Sequence, residues 1–184
     1  MFSGKSVAVI GGGVSGIGAA KILKQNGYDV IIYERNACLG GIWSIGYQDI
    51  HIQSYNFQYH FTDYPWPPHI QSSTHPTAKE VLEYLTSTVD YYQLKMKFNH
   101  TIISMEEKSD GWILCISNPL GKILRKFDYV IVSSGLFTEG KYRPVFPGQE
   151  VEYYYPTPVP PPHLTLSLTS LLSSSFFSFF KEKF

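Results

Sequence analysis

The sequence predicts an α/β fold built on a parallel β-sheet, and three features near its N-terminus predict it. Residues 7–10 and 29–34 contain short apolar runs rich in β-branched residues, which are typical of strands buried on both faces. Between them, residues 15–25 carry apolar side chains at helical spacing. A strand, a helix and a second strand over about 30 residues form a βαβ unit, and its crossover is expected to be right-handed.

The remainder of the chain up to residue 133 predicts a long loop, a second helix and an antiparallel insertion. Residues 37–76 are rich in Gly, Tyr, His and Pro and are expected to form a loop, and loops of this length are usually functional. Thr77 and Glu80 have the spacing of a capping box at the start of a helix. Strands are predicted at 96–105, 111–117 and 123–133, with 129–132 returning to the parallel sheet.

The composition changes near residue 149, and this change predicts two regions. Residues 1–148 are expected to form one Rossmann-type domain, whereas residues 149–184 form a low-complexity tail rich in Pro, Ser, Leu and Phe. The tail shows no turn chemistry and no clear period, so we expect it to be disordered. Its apolar tract at 164–180 is interrupted by many Ser and Thr residues, so we do not expect it to span a membrane.

The charge balance excludes some classes of partner. Lys plus Arg and Asp plus Glu each number 15, so the chain has no net charge with which to attract nucleic acid. Cys38 and Cys115 have neither metal-site nor disulfide-framework spacing, and the six histidines are scattered, so no metal site is predicted. The N-terminus lacks the pattern of a secretory signal, and we therefore expect a cytoplasmic protein. The oligomeric state is left open.

A glycine-rich turn follows the first predicted strand. Gly11-x-Gly13-x-x-Gly16 lies between that strand and the first predicted helix. Gly11 would allow a tight turn, Gly13 would let the backbone approach a pyrophosphate, and Gly16 would let the helix pack against the strand. The N–H groups at the start of the helix, with Val14 and Ser15, would then face the phosphates.

An acidic residue, Glu34, ends the second predicted strand, with Arg35 after it. A carboxylate at this position accepts hydrogen bonds from the ribose hydroxyls of an adenosine and repels a 2′-phosphate. The turn and the acid together predict a site for an ADP moiety. They do not distinguish FAD from NAD, because both cofactors contain ADP.

The order of several motifs resembles the flavin-containing monooxygenase family, particularly its plant members. A second glycine pair, Gly40-Gly41, is followed by Trp43 and lets backbone amides line a longer cofactor path, which favours FAD. The motifs that carry the resemblance are 11–16, 33–35, 40–43, 52–54, 61–67, 129–135 and 144–148. The resemblance covers about residues 5–148.

This resemblance implies a fold, two cofactors and a chemistry. Members of the family reduce FAD with NADPH and oxygenate soft nitrogen or sulfur atoms of small substrates. Gln53 and Ser54 would lie near the flavin ring, and the resemblance singles out no catalytic residue. The cofactor-binding residues that it implies are Gly11, Gly13, Val14, Ser15, Gly16, Glu34, Arg35, Gly41, Ile42, Trp43, Gln53, Ser54, Ser134 and Gly135.

The loop between the two predicted helices is dense in aromatic residues, and two roles for them stay open. They would either form a wall around the flavin ring or pack the loop onto the core. These residues are Trp43, Tyr55, Phe57, Tyr59, Phe61, Tyr64 and Trp66.

Two motifs of the family do not occur after Gly148, namely the second G-x-G-x-x-G for NADPH and the fingerprint that precedes it. From this we expect a truncated member that is catalytically incomplete and does not bind NADPH in the usual way. The alternatives are a non-catalytic or unstable FAD-binding fragment, and an NAD(P)-dependent oxidoreductase.

Overall fold

The computed structural model describes residues 4–46 and 49–135. The predicted tail at 149–184 and the motif at 144–148 therefore lie outside the described residues. In chain order the elements are β1 (Ser6–Ile10), α1 (Val14–Gln25), β2 (Asp29–Tyr33), α2 (Ile42–Ile45), a 3₁₀ turn (Asn56–Gln58), α3 (Ala78–Tyr91), β3 (Lys95–Lys97), β4 (Thr101–Lys108), β5 (Gly111–Asn118), β6 (Gly121–Phe127) and β7 (Tyr129–Val132).

The predicted α/β fold is confirmed. Four parallel strands form one sheet in the order β3-β2-β1-β7, and β4-β5-β6 form a separate antiparallel sheet. Val7 and Val9 of β1 pack with the helices, whereas Ala8 packs with the antiparallel sheet. Since neighbouring side chains of a strand point to opposite faces, the helices cover one face of the parallel sheet and the antiparallel sheet covers the other.

Two of the predicted strands are each divided in the structure. The prediction of one strand over 96–105 is wrong, because the backbone turns at Asn99, whose φ is +56°. There the Asn99 N–H donates to the Asn36 carbonyl and the His100 N–H donates to the Glu34 carbonyl, which joins β3 to the end of β2. The predicted strand at 123–133 is divided at Asp128, whose carboxylate accepts hydrogen bonds from Ser6.

The capping box of α3 is present as predicted. The Glu80 carboxylate accepts from the Thr77 N–H at 2.7 Å, and the Glu80 N–H donates to the Thr77 hydroxyl at 3.2 Å. The Ser73 hydroxyl also donates to the Glu80 carboxylate, at 3.0 Å. Burial raises the pKa of Glu80, but the hydrogen bonds from Thr77 and Ser73 outweigh it and lower the pKa to about 2.

A buried lysine ties the long loop to α1. Lys21 is only 4% exposed, and its ammonium group pairs with the Asp63 carboxylate between the rings of Phe61 and Tyr92. Hydrogen bonds from Lys21 and then Gln25 hold the pKa of Asp63 below its ordinary value. The ion pair therefore holds the loop against α1, the helix that follows the glycine turn.

Within residues 4–46 and 49–135, no helix combines the length and the apolar character that crossing a bilayer requires.

Removal of the carboxylate at residue 63 should destabilise the fold, because it leaves the buried Lys21 ammonium without its anion. We expect Asp63→Ala to cost about 2 kcal/mol of unfolding free energy, measured by urea denaturation, since Asp63 itself is partly exposed. Adding Lys21→Met should recover at least half of that loss. Asp29→Ala is the control because its ion pair with Lys95 is exposed, and equal losses in the two alanine variants would contradict the expectation.

The capping carboxylate should make stability depend on pH. The pKa of Glu80 is about 2 in the folded chain against an ordinary 4.5, so its contribution is complete above pH 4.5 and is lost as the pH falls toward 2. Glu80→Gln removes the carboxylate, and its deficit in unfolding free energy should shrink over that pH window. Glu83→Gln, an exposed substitution on the same helix, serves as the control. A deficit that stays constant from pH 5 to pH 2 would argue against this role.

Candidate dinucleotide-binding site

Two glycines of the turn between β1 and α1 are required by the protein itself. Gly11 has a φ of +109°, and a Cβ there would lie 2.2 Å from the Ser133 carbonyl oxygen. A Cβ on Gly16 would lie 1.9 Å from the Gly11 carbonyl oxygen. Both distances are far inside van der Waals contact with backbone atoms. Only glycine at residue 16 lets α1 pack this closely against the end of β1, and only glycine at residue 11 lets the turn pass this close to the end of β7.

Gly13 differs from these two glycines, and the difference tests whether a ligand fits. Its φ is −82°, which any residue adopts, and the nearest atom to an added Cβ is the Gly41 Cα at 3.7 Å. Within the described chain, nothing prevents a side chain at this position. A requirement for glycine at residue 13 would therefore come from a molecule that approaches the turn from outside.

The N-terminus of α1 carries free donors and no countercharge. Its first turn has no acidic residue, and its N-cap residue, Gly13, provides no side-chain hydrogen bond. Among the described residues, the N–H groups of Val14, Ser15 and Gly16 have no hydrogen-bond acceptor, whereas the Ile17 N–H donates to the Gly13 carbonyl. Such a helix end attracts an anion through its N–H groups and its dipole.

Glu34 lies beside this turn at the end of β2 and is 5% exposed. Its Oε2 accepts from the Gly12 N–H at 2.7 Å, and its Oε1 accepts from the Asn36 N–H at 2.8 Å. A carboxylate has about four lone-pair sites, so two of them stay available to a ligand. Arg35 is exposed next to it.

The second glycine pair reaches the first turn directly. The Gly40 N–H donates to the Gly12 carbonyl at 2.8 Å, and a Cβ on Gly41 would lie 3.2 Å from the Gly13 Cα. Ile42 follows on the surface, but Trp43 is buried and its indole N–H donates to the Tyr59 hydroxyl at 2.9 Å. Trp43 thus anchors the second glycine turn in the core, and its predicted contact with a flavin stays a prediction.

Of the other two predicted pairs, the structure places only one at this turn. Ser134 and Gly135 are exposed after β7, immediately beyond the Ser133 carbonyl that touches Gly11. The segment containing Gln53 and Ser54 is bonded instead to the residues before α3. There the Ile52 N–H donates to the Pro76 carbonyl, and the His75 Nδ1 lies 3.2 Å from the Ser54 carbonyl oxygen. A role for Gln53 and Ser54 near the flavin ring stays a prediction.

Three residues of the site were not among those predicted. The Gly12 N–H donates to Glu34, and the Gly12 carbonyl accepts from the Gly40 N–H. The Met96 Cε lies 2.8 Å from where a Gly12 Cβ would be. Gly12 and Gly40 belong to motifs that were visible in the sequence. Met96 gives no such signal, because its position depends on β3 pairing with β2.

Two concavities flank α3. The larger, of about 740 Å³, contains no residue of the glycine turn. The smaller, of about 500 Å³, is lined by Ala37, Cys38, Leu39 and Met96 and so adjoins the Glu34 end of the site. Among the described residues, no three His, Cys, Asp or Glu side chains are grouped so that they could hold a metal ion.

A helix whose free N–H groups face a glycine turn, with an acid at the end of the neighbouring strand, defines a Rossmann-type dinucleotide-binding domain. Residues 8–162 match the family model described as pyridine nucleotide-disulphide oxidoreductase, and the chain belongs to that family.

The comparisons also confirm the resemblance to flavin-containing monooxygenases. The chain is 37% identical over 108 residues to a probable flavin-containing monooxygenase 1 of Arabidopsis thaliana, covering 57% of this chain and 20% of that protein. It is 30% identical over 142 residues to a 4-hydroxybenzoate brominase (decarboxylating) of Marinomonas mediterranea, covering 74% and 27%. The chain therefore spans less than a third of the length of either relative.

A solved structure, the S-allyl-L-cysteine S-oxygenase of Allium sativum, has the same fold with a TM-score of 0.68. The two are 21% identical, and the match covers 77% of this chain and 39% of that one.

Alanine at the two kinds of glycine should separate folding from binding. Gly13→Ala should change the unfolding free energy by less than about 1 kcal/mol, because its Cβ meets only ordinary contacts, but should weaken ADP binding about tenfold or more. Gly16→Ala should destabilise the fold by about 3 kcal/mol or more, because its Cβ overlaps a backbone oxygen. Calorimetry for binding and urea denaturation for stability check both; wild-type affinity in Gly13→Ala would contradict the assignment.

Proposed function

We propose that this chain binds FAD by its ADP moiety and is the cofactor-binding part of a flavin-dependent monooxygenase. In this function NADPH and O₂ are co-substrates, and a nitrogen or sulfur atom of a small nucleophilic substrate is oxygenated. One observation carries the proposal: the free N–H groups of Val14, Ser15 and Gly16 lie next to Gly13. Contacts within the described chain do not require a glycine at residue 13.

The choice of FAD over other dinucleotides combines two arguments. The site offers the donors and the acid that suit an ADP moiety. A relative with 37% identity is named for a flavin, and FAD is the flavin cofactor that contains ADP. The contact of Gly41 with Gly13 supports the same choice, because it extends the glycine-lined surface beyond the diphosphate.

Each residue of the site fits one part of the cofactor. The N–H groups at the start of α1 would hold the diphosphate, and the free lone pairs of Glu34 would accept from the ribose hydroxyls. The concavity lined in part by Ala37, Leu39 and Met96 would receive the adenine, because Met96 flanks Gly12 beside Glu34. Bound FAD supplies the redox chemistry with NADPH and O₂, and this chain orients the cofactor.

The two relatives are named for different reactions, an oxygenation and a bromination, yet their matches cover 57% and 74% of this chain and therefore overlap. A region shared by different chemistries is expected to carry what the reactions have in common. For this reason the proposal assigns cofactor binding to the described residues and leaves the choice of substrate to residues beyond them.

A visible spectrum of the purified chain with added FAD tests the proposal. We expect the protein to retain flavin absorbance after gel filtration at about one FAD per chain, and Gly13→Ala to lose it while remaining folded by circular dichroism. Glu83→Gln, which is exposed on α3, is the matched control and should retain FAD.

Anaerobic addition of NADPH then separates the stages of the reaction. We expect the bound flavin to keep its colour with NADPH alone and to bleach with dithionite. Bleaching by NADPH would instead mean that this chain alone binds NADPH and reduces its flavin. Folded protein that binds NAD(P) and retains no FAD would contradict the proposal and favour an NAD(P)-dependent oxidoreductase.

A further inference from the structure

We propose that Glu34 is a positioning residue for the diphosphate-binding turn, in addition to its predicted contact with the ribose. In this proposal Gly12 connects the two halves of the ADP site, because the carboxylate that faces the ribose also fixes the turn that faces the phosphates. The inference rests on the proposed function, since it concerns the same nucleotide.

The contacts of the Glu34 carboxylate are internal to the protein. The side chain is 5% exposed, and each of its oxygens accepts one backbone N–H, from Gly12 at 2.7 Å and from Asn36 at 2.8 Å. Hydrogen bonds to a charged acceptor are about twice as strong as neutral ones. A residue that served only the ribose would have no need of these two bonds to its own chain.

The bond to the Gly12 N–H fixes the peptide group between Gly11 and Gly12. In a planar trans peptide the N–H and the preceding C=O point in opposite directions. When the Gly12 N–H points at Glu34, the Gly11 carbonyl must therefore point away from it. The Gly11 oxygen lies only 1.9 Å from the position that a Cβ of Gly16 would occupy. This orientation of the peptide therefore packs the turn directly against α1.

The next peptide group is fixed in the same way from the other side. The Gly40 N–H donates to the Gly12 carbonyl at 2.8 Å, so the Gly13 N–H points away from Gly40. The Met96 Cε, 2.8 Å from where a Gly12 Cβ would lie, closes the remaining side of Gly12. Both peptide groups of Gly12 are thus oriented by contacts within the chain, and in this proposal such preorganisation lowers the cost of binding a diphosphate.

Two nucleotides that differ only in the ribose hydroxyls distinguish this role from ribose recognition alone. ADP offers both hydroxyls to Glu34, whereas 2′,3′-dideoxy-ADP offers none. The dissociation constants of both would be measured by calorimetry on the full chain as wild type, as Glu34→Gln and as the control Glu83→Gln.

We expect Glu34→Gln to weaken both nucleotides about tenfold or more, because the turn loses its charged acceptor whether or not hydroxyls are present. Weaker binding of ADP with unchanged binding of dideoxy-ADP would reduce Glu34 to a ribose contact and overturn the inference. If wild-type protein binds neither nucleotide, the proposed function fails, and that outcome is distinct from the other two.

Hydrogen exchange on the wild-type protein provides a second test that needs no stable variant. Without nucleotide, the Gly12 amide should exchange slowly because it is bonded to Glu34, whereas the Gly13 amide should exchange at least tenfold faster. Dideoxy-ADP should then slow Gly13 and leave Gly12 unchanged. If Gly12 exchanges as fast as Gly13 in the free protein, the positioning role is excluded.

Discussion

The close approach of α1 to β1 is the constraint on which the rest of this structure depends. The helix can sit against the strand only because Gly16 carries no side chain, since a Cβ there would overlap the Gly11 carbonyl oxygen. Gly11 has the corresponding role toward the end of β7, where its Cβ would overlap the Ser133 carbonyl oxygen. This packing directs the first turn of α1 toward the end of the strand, where its free N–H groups face outward together. The proposed binding of an anion thus depends on this packing, since the donors are backbone groups and the position of the helix presents them.

The long loop before α3 packs against both α1 and α3. Phe61 sits against α1 where a Cβ on Gly18 would lie 2.9 Å from its ring, and its N–H donates to the Tyr84 hydroxyl. The Tyr84 hydroxyl in turn donates to the Tyr64 carbonyl at 2.6 Å. Of the aromatic residues whose role the sequence left open, Trp43, Tyr59 and Tyr64 lie in the core. These three therefore fasten the loop to the two helices, whereas Tyr55 and Phe57 stack on each other at the surface.

The βαβ unit and the α3 cap were predictable because their signals are local: apolar runs, helical spacing and a three-residue capping interval. The divisions at Asn99 and Asp128 were not, because their bonding partners, Asn36 and Ser6, are distant in sequence. Burial of Lys21 was equally hidden, since a lysine in a helix suggests a solvated face until the loop bearing Asp63 covers it. For the candidate site, the sequence singled out the glycines and the acid but gave no signal for the bond that joins Glu34 to Gly12.

Because the chain has no net charge, the proposed diphosphate site must act through local contacts, and it must do so beside a carboxylate. The helix dipole contributes only about 0.3–1 kcal/mol, so most of the attraction must come from hydrogen bonds at contact distance. The charge of Glu34 is largely committed to two N–H groups of its own chain, which reduces its repulsion of an approaching anion. The bond to Gly12 also orients the turn that would meet the phosphates in the proposed function. In the proposed function, this buried acid would therefore support the binding of an anion, because its hydrogen bond to Gly12 orients the turn.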